Sequence, residues 1–324
     1  MAVQRDPISK IAMNQFLQDV LTGLTASPKY LHSKYLYDGQ GDILFEEIMH
    51  SQEYYVTDCE LEILQTHCER LAEYIRSFFN GFDVVELGAG DASKTRHLLK
   101  CLHDLDPGFT YFPIDISTQM IAQLEKTLPQ EVPGLKVTGL NGDYFEMLEK
   151  VSGLTGKPKV VLFLGANIGN MSPAEAESFC MKLHRFMNRG DLVLMGFDLQ
   201  KNPWVIFNAY NDHGGITREF NLNLLRRINT ELDGDFDPDH YEHYESYDPE
   251  TGACRSYIIS LKEQVVHISG QAIAFKENEY VYTETSQKYL PEQIDKLAVK
   301  AGFKPLENFY DSKKWFTDVL WEVV

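Results

Sequence analysis

The stretch VVELGAGDASKTRHLL, residues 84–99, carries the strongest fold signal in the chain. A short apolar run ends at Leu87, Gly88 and Gly90 follow, and a polar segment with helical character comes next. A buried strand that turns through glycines into a helix is how parallel α/β sheets hold nucleotide-like ligands. We therefore predict a ligand site at this turn, and glycines required only by the backbone are the alternative.

Composition and charge exclude several classes of function. The chain has 324 residues, 44% of them hydrophobic, and a formal net charge of −18. Because this charge repels nucleic-acid phosphates and anionic membranes, we expect a small-molecule partner. No apolar run approaches the roughly 20 residues of a membrane span, and the first residues lack the apolar core of a secretory signal. Five scattered cysteines without a CxxC pair predict reduced thiols, no metal site and a cytoplasmic protein, which we expect to be a monomer.

Apolar runs alternate with helical stretches through the middle of the chain. The predicted strands are residues 83–87, 110–115, 136–140, 160–164 and 192–197. Buried strands separated by helices predict a doubly wound, Rossmann-like parallel sheet. Near the chain end, residues 307–310 and 316–324 predict two strands joined by DSKKW, and such an antiparallel hairpin is typical of class I methyltransferases.

A helix is predicted just before the first of these strands. Thr57 and Glu60 have the spacing of a capping box. The apolar residues that follow recur at intervals of three and four and lie at positions 61, 64, 68, 71, 75 and 78. This periodicity predicts one continuous amphipathic helix.

The α/β pattern is interrupted by a segment rich in aromatic, acidic and amide residues. We predict that residues 58–200 and 289–324 form the sheet domain. Residues 1–57 and 201–288 are predicted to pack together as a second α+β lobe.

Acidic residues at the strand ends discriminate between ligands for the glycine turn. Asp115 ends the second predicted strand, where a carboxylate accepts both ribose hydroxyls of a bound NAD or S-adenosylmethionine. After the third strand, Asp143 is placed to accept the adenine amino group, and Tyr144 offers its backbone N–H. These two acids and the terminal hairpin favour S-adenosylmethionine over a dinucleotide, whose third glycine is replaced here by Ser93.

The fourth predicted strand opens into LFLGANIGNMSPAEA, residues 162–176. Ser172 followed by proline is explained by an ordinary helix cap. The cap does not explain Asn167 and Asn170, which stand among glycines directly after the strand. These asparagines are expected at the edge where open α/β sheets bind ligands.

Several motifs together resemble the histidine-specific methyltransferases of ergothioneine biosynthesis. They are ELGAGDASKT, YFPIDIS, FLGANIGN, GGITREFNLNLLRRIN and TETSQKY, and they occur in the order of that family over most of the chain. The resemblance implies an S-adenosylmethionine-dependent enzyme with a class I methyltransferase sheet and a separate substrate-binding lobe. It also implies three successive methylations of the α-amino group of L-histidine, giving hercynine.

The resemblance further implies roles for individual residues. Those implied in substrate binding are Phe45, Tyr54, Asn170, Tyr210, Glu284 and Ser286. Those implied in catalysis are Tyr37, Asn170 and Tyr210. Those implied in cofactor binding are Gly88, Lys94, Asp115, Asp143 and Tyr144. Among them, Glu284 and Ser286 are expected to hydrogen-bond the imidazole, and a site built on such bonds rejects analogues that lack them.

Two departures from the family pattern concern the substrate pocket. Asn167 stands where mycobacterial-type members carry a smaller hydroxyl residue. Ile258 and Ile259 stand where some relatives carry a methionine. The alternatives are therefore another free amino acid, such as tryptophan or a sulfur-bearing histidine derivative, and a non-catalytic S-adenosylmethionine-binding protein. A dehydrogenase is a more distant alternative.

Overall fold

The structure is a computed structural model that describes residues 7–324, with side chains from residue 13 onward. The chain divides into two compact units. Unit 1 holds residues up to 55 together with residues 201–286, and unit 2 holds residues 56–200 and 287–324. The boundaries predicted from the sequence differ from these by at most two residues.

Helices and short strands alternate along the chain. The α-helices are α1 Pro7–Thr25, α2 Gly39–Met49, α3 Tyr55–Thr66, α4 Cys68–Phe78, α5 Thr95–Leu105, α6 Thr118–Glu131, α7 Tyr144–Leu154, α8 Pro173–Arg185, α9 Pro203–Ala209, α10 Ile216–Leu232 and α11 Pro291–Ala301. The strands are β1 Lys29–Tyr30, β2 Asp83–Leu87, β3 Thr110–Asp115, β4 Lys136–Val137, β5 Leu140–Asn141, β6 Lys159–Phe163, β7 Leu192–Asp198, β8 Tyr241–Asp248, β9 Ala253–Ser260, β10 Gln264–Ile268, β11 Gln271–Phe275, β12 Tyr280–Gln287, β13 Phe303–Tyr310 and β14 Phe316–Val323. Among these helices, none has the length and apolar composition needed to cross a membrane.

Unit 2 is built on one large sheet with the strand order β13-β14-β7-β6-β2-β3-β4. Strand β5 follows β4 along the same edge and pairs with the last residues of β3. The strands from β7 to β5 pair in parallel, while β14 runs antiparallel to both β7 and β13. This confirms the predicted Rossmann-like class I methyltransferase sheet with its terminal antiparallel hairpin. Every residue of β2, β6 and β7 is buried, as expected for strands covered on both faces.

Two local predictions for unit 2 are wrong. The single helix predicted from Thr57 onward is divided at His67 into α3 and α4. The capping box does not form, because α3 already begins at Tyr55 and Glu60 lies inside it with a fully buried side chain. The strand predicted over residues 136–140 is divided into β4 and β5, which pair with different parts of β3.

Unit 1 has α+β architecture. Its larger sheet has the order β1-β12-β9-β8, in which β1 is parallel to β12 and β8 is antiparallel to β9. Helix α10 packs against α2 and against strands β8 and β9. A buried polar contact joins α10 to the sheet, where Thr283 Oγ1 donates to Asn221 Oδ1 at 2.8 Å. This contact satisfies two buried polar groups and therefore fixes how the helix lies on the sheet.

Candidate functional site

The predicted glycine turn connects β2 to the segment before α5. Gly88 and Gly90 have φ angles of +73° and +51°, in the left-handed region that favours glycine. A Cβ atom added to Gly88 would stand 2.7 Å from the Tyr144 hydroxyl oxygen. The turn therefore needs glycine both for its backbone angles and for its close approach to α7.

Asp115 lies at the end of β3 with its carboxylate held by backbone groups on both sides. Its Oδ2 accepts from the Gly90 N–H at 3.1 Å, and its Oδ1 accepts from the Ser117 N–H at 2.9 Å. Each oxygen keeps one lone pair beyond these bonds. The half-buried carboxylate is thus pre-oriented beside the glycine turn and can accept the two hydroxyls of a ribose.

Asp143 and Tyr144 lie at the start of α7. Asp143 caps the helix, because its Oδ1 accepts from the Phe145 N–H at 2.9 Å. The cap uses Oδ1, so Oδ2 is the oxygen that a ligand amino group would meet. Burial raises the pKa of Tyr144 to about 12, so its phenol is protonated and acts as a hydrogen-bond donor at neutral pH.

Lys94 lies after the turn, directly before α5, and its ammonium forms an ion pair with the Glu60 carboxylate. Glu60 also accepts from the Gly165 N–H at 2.7 Å. Burial lowers the pKa of Lys94, but the charge and hydrogen bond of Glu60, together with the other acids nearby, outweigh burial, so the pKa is raised. Lys94 is therefore a fixed cation beside the turn, where sequence analysis expected a direct contact with a cofactor.

The two asparagines of the fourth motif occupy a 3₁₀ turn, Asn167–Asn170, directly after β6. Asn167 Nδ2 donates to the Leu164 carbonyl at 2.9 Å, and a Cβ on Gly88 would lie 3.6 Å from this nitrogen. Asn170 is exposed at the end of the turn. Both asparagines thus follow the carboxyl end of β6, at the same edge of the sheet as the glycine turn.

These residues of unit 2 fit an adenosyl cofactor. The glycine turn gives close access to the backbone, and Asp115 offers two oriented acceptors. Ile116, the next residue, is 80% exposed. An apolar side chain that the fold leaves in solvent beside a ribose site suits the face of a purine ring. Sequence analysis missed Ile116, although an apolar residue directly after the acidic strand end was a visible signal.

Five aromatic side chains of unit 1 form a continuous group, which we call the aromatic cluster: Tyr37, Phe45, Tyr54, Tyr210 and Phe220. Ring centroids lie 5.4 Å apart for Tyr37 and Phe45, 6.4 Å for Phe45 and Tyr54, and 5.9 Å for Tyr54 and Tyr210. The ring of Phe220, on α10, lies 5.5 Å from that of Tyr37. Four of the five residues were identified from the sequence, and Phe220 was missed because it reads as an ordinary apolar position of a helix.

The polar residues of the predicted imidazole site lie on β12, next to the aromatic cluster. The hydroxyls of Tyr210 and Ser286 are 2.8 Å apart and share a hydrogen bond. Tyr37 is 37% exposed, yet the surroundings of its hydroxyl group keep water from it, and this together with the negative charge of Glu284 raises its pKa. Unit 1 therefore brings together six residues implied in substrate binding or catalysis, namely Tyr37, Phe45, Tyr54, Tyr210, Glu284 and Ser286.

The isoleucines that depart from the family pattern lie on β9. Ile258 is fully buried, and Ile259 is half-buried opposite Glu242. Within the part of the chain with described side chains, no three His, Cys, Asp or Glu residues are grouped as a metal site.

Comparison with known proteins gives consistent matches. Residues 16–323 match the family model described as histidine-specific methyltransferase, SAM-dependent. The chain is 34% identical to the histidine N-alpha-methyltransferase of Mycolicibacterium smegmatis, over 93% of this chain and 90% of that protein. It is 31% identical to ergothioneine biosynthesis protein 1 of Neurospora crassa, over 93% of this chain and 34% of that protein. It is 27% identical to the L-tryptophan methyltransferase trpM of Psilocybe serbica, over 91% of this chain and 89% of that protein.

Proposed function

Because the chain belongs to the family of histidine-specific, S-adenosylmethionine-dependent methyltransferases, we propose that it methylates the α-amino nitrogen of free L-histidine. Three successive transfers would give hercynine. The observation that best supports histidine as the substrate is the hydrogen bond between Tyr210 and Ser286, on the same strand as Glu284. This bond connects the aromatic cluster to the groups expected to bind an imidazole.

In this proposal the sheet edge of unit 2 holds the cofactor. When bound, S-adenosylmethionine supplies an electrophilic methyl group on a sulfonium centre. Gly88 allows its close approach, Asp115 accepts from the ribose hydroxyls, and Asp143 accepts from the adenine amino group. Tyr144 contributes its backbone N–H, and Lys94 supplies a positive charge that attracts the carboxylate of the cofactor.

The residues of the aromatic cluster bind and orient the amino acid. The hydroxyls of Tyr54 and Tyr210 suit its carboxylate and amine. Asn170 of unit 2 is exposed and is retained as a further proposed substrate-binding residue. Tyr37 is protonated at neutral pH, as a phenol ordinarily is, and the upward shift of its pKa acts in the same direction. It therefore acts as a hydrogen-bond donor near the amine, not as a base. As methyl groups accumulate, the aromatic faces stabilise the cationic product by about 0.5–2 kcal/mol.

Selection of histidine is assigned to Glu284 and Ser286. A carboxylate beside the imidazole accepts an N–H that an apolar side chain of similar size cannot offer. Phe45 and Phe220 supply the apolar walls for the ring, at 5.9 Å from each other. A substrate without the N–H cannot form this hydrogen bond, and a site built on such a bond discriminates against it.

The proposal is tested by incubating the purified protein with L-histidine and S-adenosylmethionine and following the products by mass spectrometry. We expect monomethyl, dimethyl and trimethyl histidine, with fragmentation placing every methyl on the α-amino nitrogen. Nα-acetylhistidine is the matched control and is expected to give no product. A protein whose melting temperature rises with S-adenosylhomocysteine but which yields no methylhistidine would contradict the proposal.

A second candidate substrate is tryptophan. The likeness to a relative named for L-tryptophan methylation supports it, as does the size of the aromatic cluster. Glu284 argues against it, because an indole N–H lies elsewhere on a larger ring than the imidazole nitrogens. Calorimetric competition between the two amino acids separates the candidates.

We further propose that the protein acts in the cytoplasm as a monomer. Its net charge of −18 makes copies of the protein repel one another, which supports a monomer. The same charge supports the absence of nucleic-acid or membrane partners. Light scattering after gel filtration tests the oligomeric state, and a mass of twice 37.2 kDa would overturn it.

A further inference from the structure

A buried group of charged side chains lies behind the sheet edge of unit 2. Glu60 of α3 and Asp318 of β14 are both fully buried, and Lys94 pairs with Glu60. Sequence analysis gave Asp318 no role, because no local motif of the chain includes it. We call these three residues the carboxyl–lysine group.

The two carboxyl groups lie close together over β7. Asp318 is opposite Gly196 in the antiparallel pair of β14 and β7. A Cβ atom on Gly196 would stand 2.4 Å from Glu60 Oε1 and 3.2 Å from Asp318 Oδ1. Gly196 is therefore the position that leaves space for both carboxyl groups, and any side chain there would displace one of them.

The hydrogen bonds are divided unequally between the two acids. Glu60 accepts from Lys94 through Oε2 and from the Gly165 N–H through Oε1. Neither oxygen of Asp318 accepts a hydrogen bond from a donor among the described residues, and Glu60 is the one group placed to share a proton with it. One ammonium thus faces two buried carboxyl groups, and only Glu60 has donors.

Burial and the missing donors determine the charge of the carboxyl–lysine group. A buried carboxylate without donors, beside a second carboxylate, is strongly disfavoured, and such pairs share one proton instead. Burial and the charge of Glu60 accordingly raise the pKa of Asp318 well above its usual range. A neighbouring acid, Glu86, has its own donors in Thr95 and Tyr111, and burial raises its pKa to about 7.

We propose that Asp318 is a positioning residue that stays protonated at neutral pH and donates a hydrogen bond to Glu60. Glu60 then holds Lys94 and the Gly165 N–H in place at the ligand edge, and the carboxyl–lysine group has no net charge. Lys94 Nζ lies 3.8 Å from the position of a Cβ on Gly165, so the group connects the turns that follow β2 and β6. The link to the ligand rests on the cofactor site proposed above.

Loss of the Asp318 proton would add a negative charge behind Lys94. This charge would repel the carboxylate of the cofactor and so weaken its attraction to Lys94. Titratable and charged groups that face Asp318 are Glu60 and Lys94, with Glu86 and Tyr111 next to them. Cofactor affinity is therefore expected to fall as the pH rises through the titration of Asp318.

The first test is the stability of the protein without ligand. An acid whose pKa is raised by folding destabilises the folded state increasingly as the pH rises from its unfolded to its folded pKa. The variant Asp318→Asn keeps a donor for Glu60 but cannot ionise. We expect its melting temperature to exceed that of the wild type by a margin that grows with pH, while the control Glu322→Gln on the same strand follows the wild type.

The second test is calorimetric binding of S-adenosylhomocysteine over the same pH range. The wild type is expected to lose affinity at alkaline pH, whereas Asp318→Asn keeps its affinity constant. Asp318→Ala is expected to bind at least about 10-fold more weakly at neutral pH, as for a lost hydrogen bond to a charged group.

Two results would overturn the inference. One is an Asp318→Asn variant that is less stable than the wild type by the same amount at every pH, which indicates a purely structural role. The other is a wild-type pH dependence of binding that persists in Asp318→Asn. If the wild type does not bind S-adenosylhomocysteine at all, the proposed cofactor site fails, while the stability test still decides the protonation of Asp318.

Discussion

At the scale of single residues, the sites depend on acids in different surroundings. Asp115 is half-buried and held by backbone N–H groups, so it suits neutral hydroxyls. Glu284 lies beside a protonated Tyr37 and suits an imidazole N–H. Asp318 is fully buried without donors and keeps its proton. The surroundings of each carboxyl group thus decide whether it accepts hydrogen bonds from hydroxyls, selects an imidazole or donates a hydrogen bond of its own.

The role of Glu284 is tested by removing its carboxylate. Glu284→Ala is expected to lower kcat/KM for L-histidine at least about 100-fold, because the imidazole N–H loses its acceptor. Glu284→Gln retains an acceptor and should lose less activity. Glu242→Ala, an exposed acid of β8 in the same unit, is the control and should behave as the wild type. Unchanged kcat/KM in Glu284→Ala would remove the basis for selection of histidine.

At the scale of secondary-structure elements, the turn after β2 is where backbone geometry and ligand binding meet. The sequence predicted this turn and the acidic end of β3, because strand periodicity and glycine placement are local signals. Local signals of this kind could not predict the partners of Glu60. Spacing alone suggested that Glu60 caps a helix, whereas its actual partners Lys94 and Gly165 lie far away in the sequence.

The same limit applies to unit 1. The motifs indicated Tyr210 and Ser286 separately, but their hydrogen bond arises only when β12 and the end of α9 meet in the folded unit. Phe220 has no distinguishing feature within the apolar face of α10. Contacts between distant segments therefore account for most of what the sequence could not predict.

The turn is tested by the substitution Gly88→Ala. The added Cβ is strained at a φ of +73° and meets the Tyr144 hydroxyl, so we expect S-adenosylhomocysteine to bind at least about 10-fold more weakly. Gly81→Ala is the matched control, since its φ is +104° but nothing lies near its Cβ. Both variants should lose about 1–2 kcal/mol of stability, and only Gly88→Ala should lose affinity.

The contact with Tyr144 gives a further check on this prediction. In the double variant Gly88→Ala/Tyr144→Phe the hydroxyl is absent, so part of the affinity should return. Equal losses of affinity in Gly88→Ala and Gly81→Ala would show that backbone strain alone, without any ligand contact, explains the glycine.

At the scale of the whole molecule, two units carry different parts of the proposed chemistry. Unit 2 contains the sheet, the glycine turn and the carboxyl–lysine group. Unit 1 contains the aromatic cluster and the polar residues of β12. The chain belongs to the family of histidine-specific, S-adenosylmethionine-dependent methyltransferases, and the division of roles between the two units is part of the proposed function.

The most direct measurement presents the purified protein with S-adenosylmethionine and an equimolar mixture of the free protein amino acids, and identifies every methylated product by mass spectrometry. The account predicts that methylated histidine is the product that accumulates, with tryptophan left unmodified. Methylation of tryptophan or another amino acid in preference to histidine, or no methylated product at all, would contradict it.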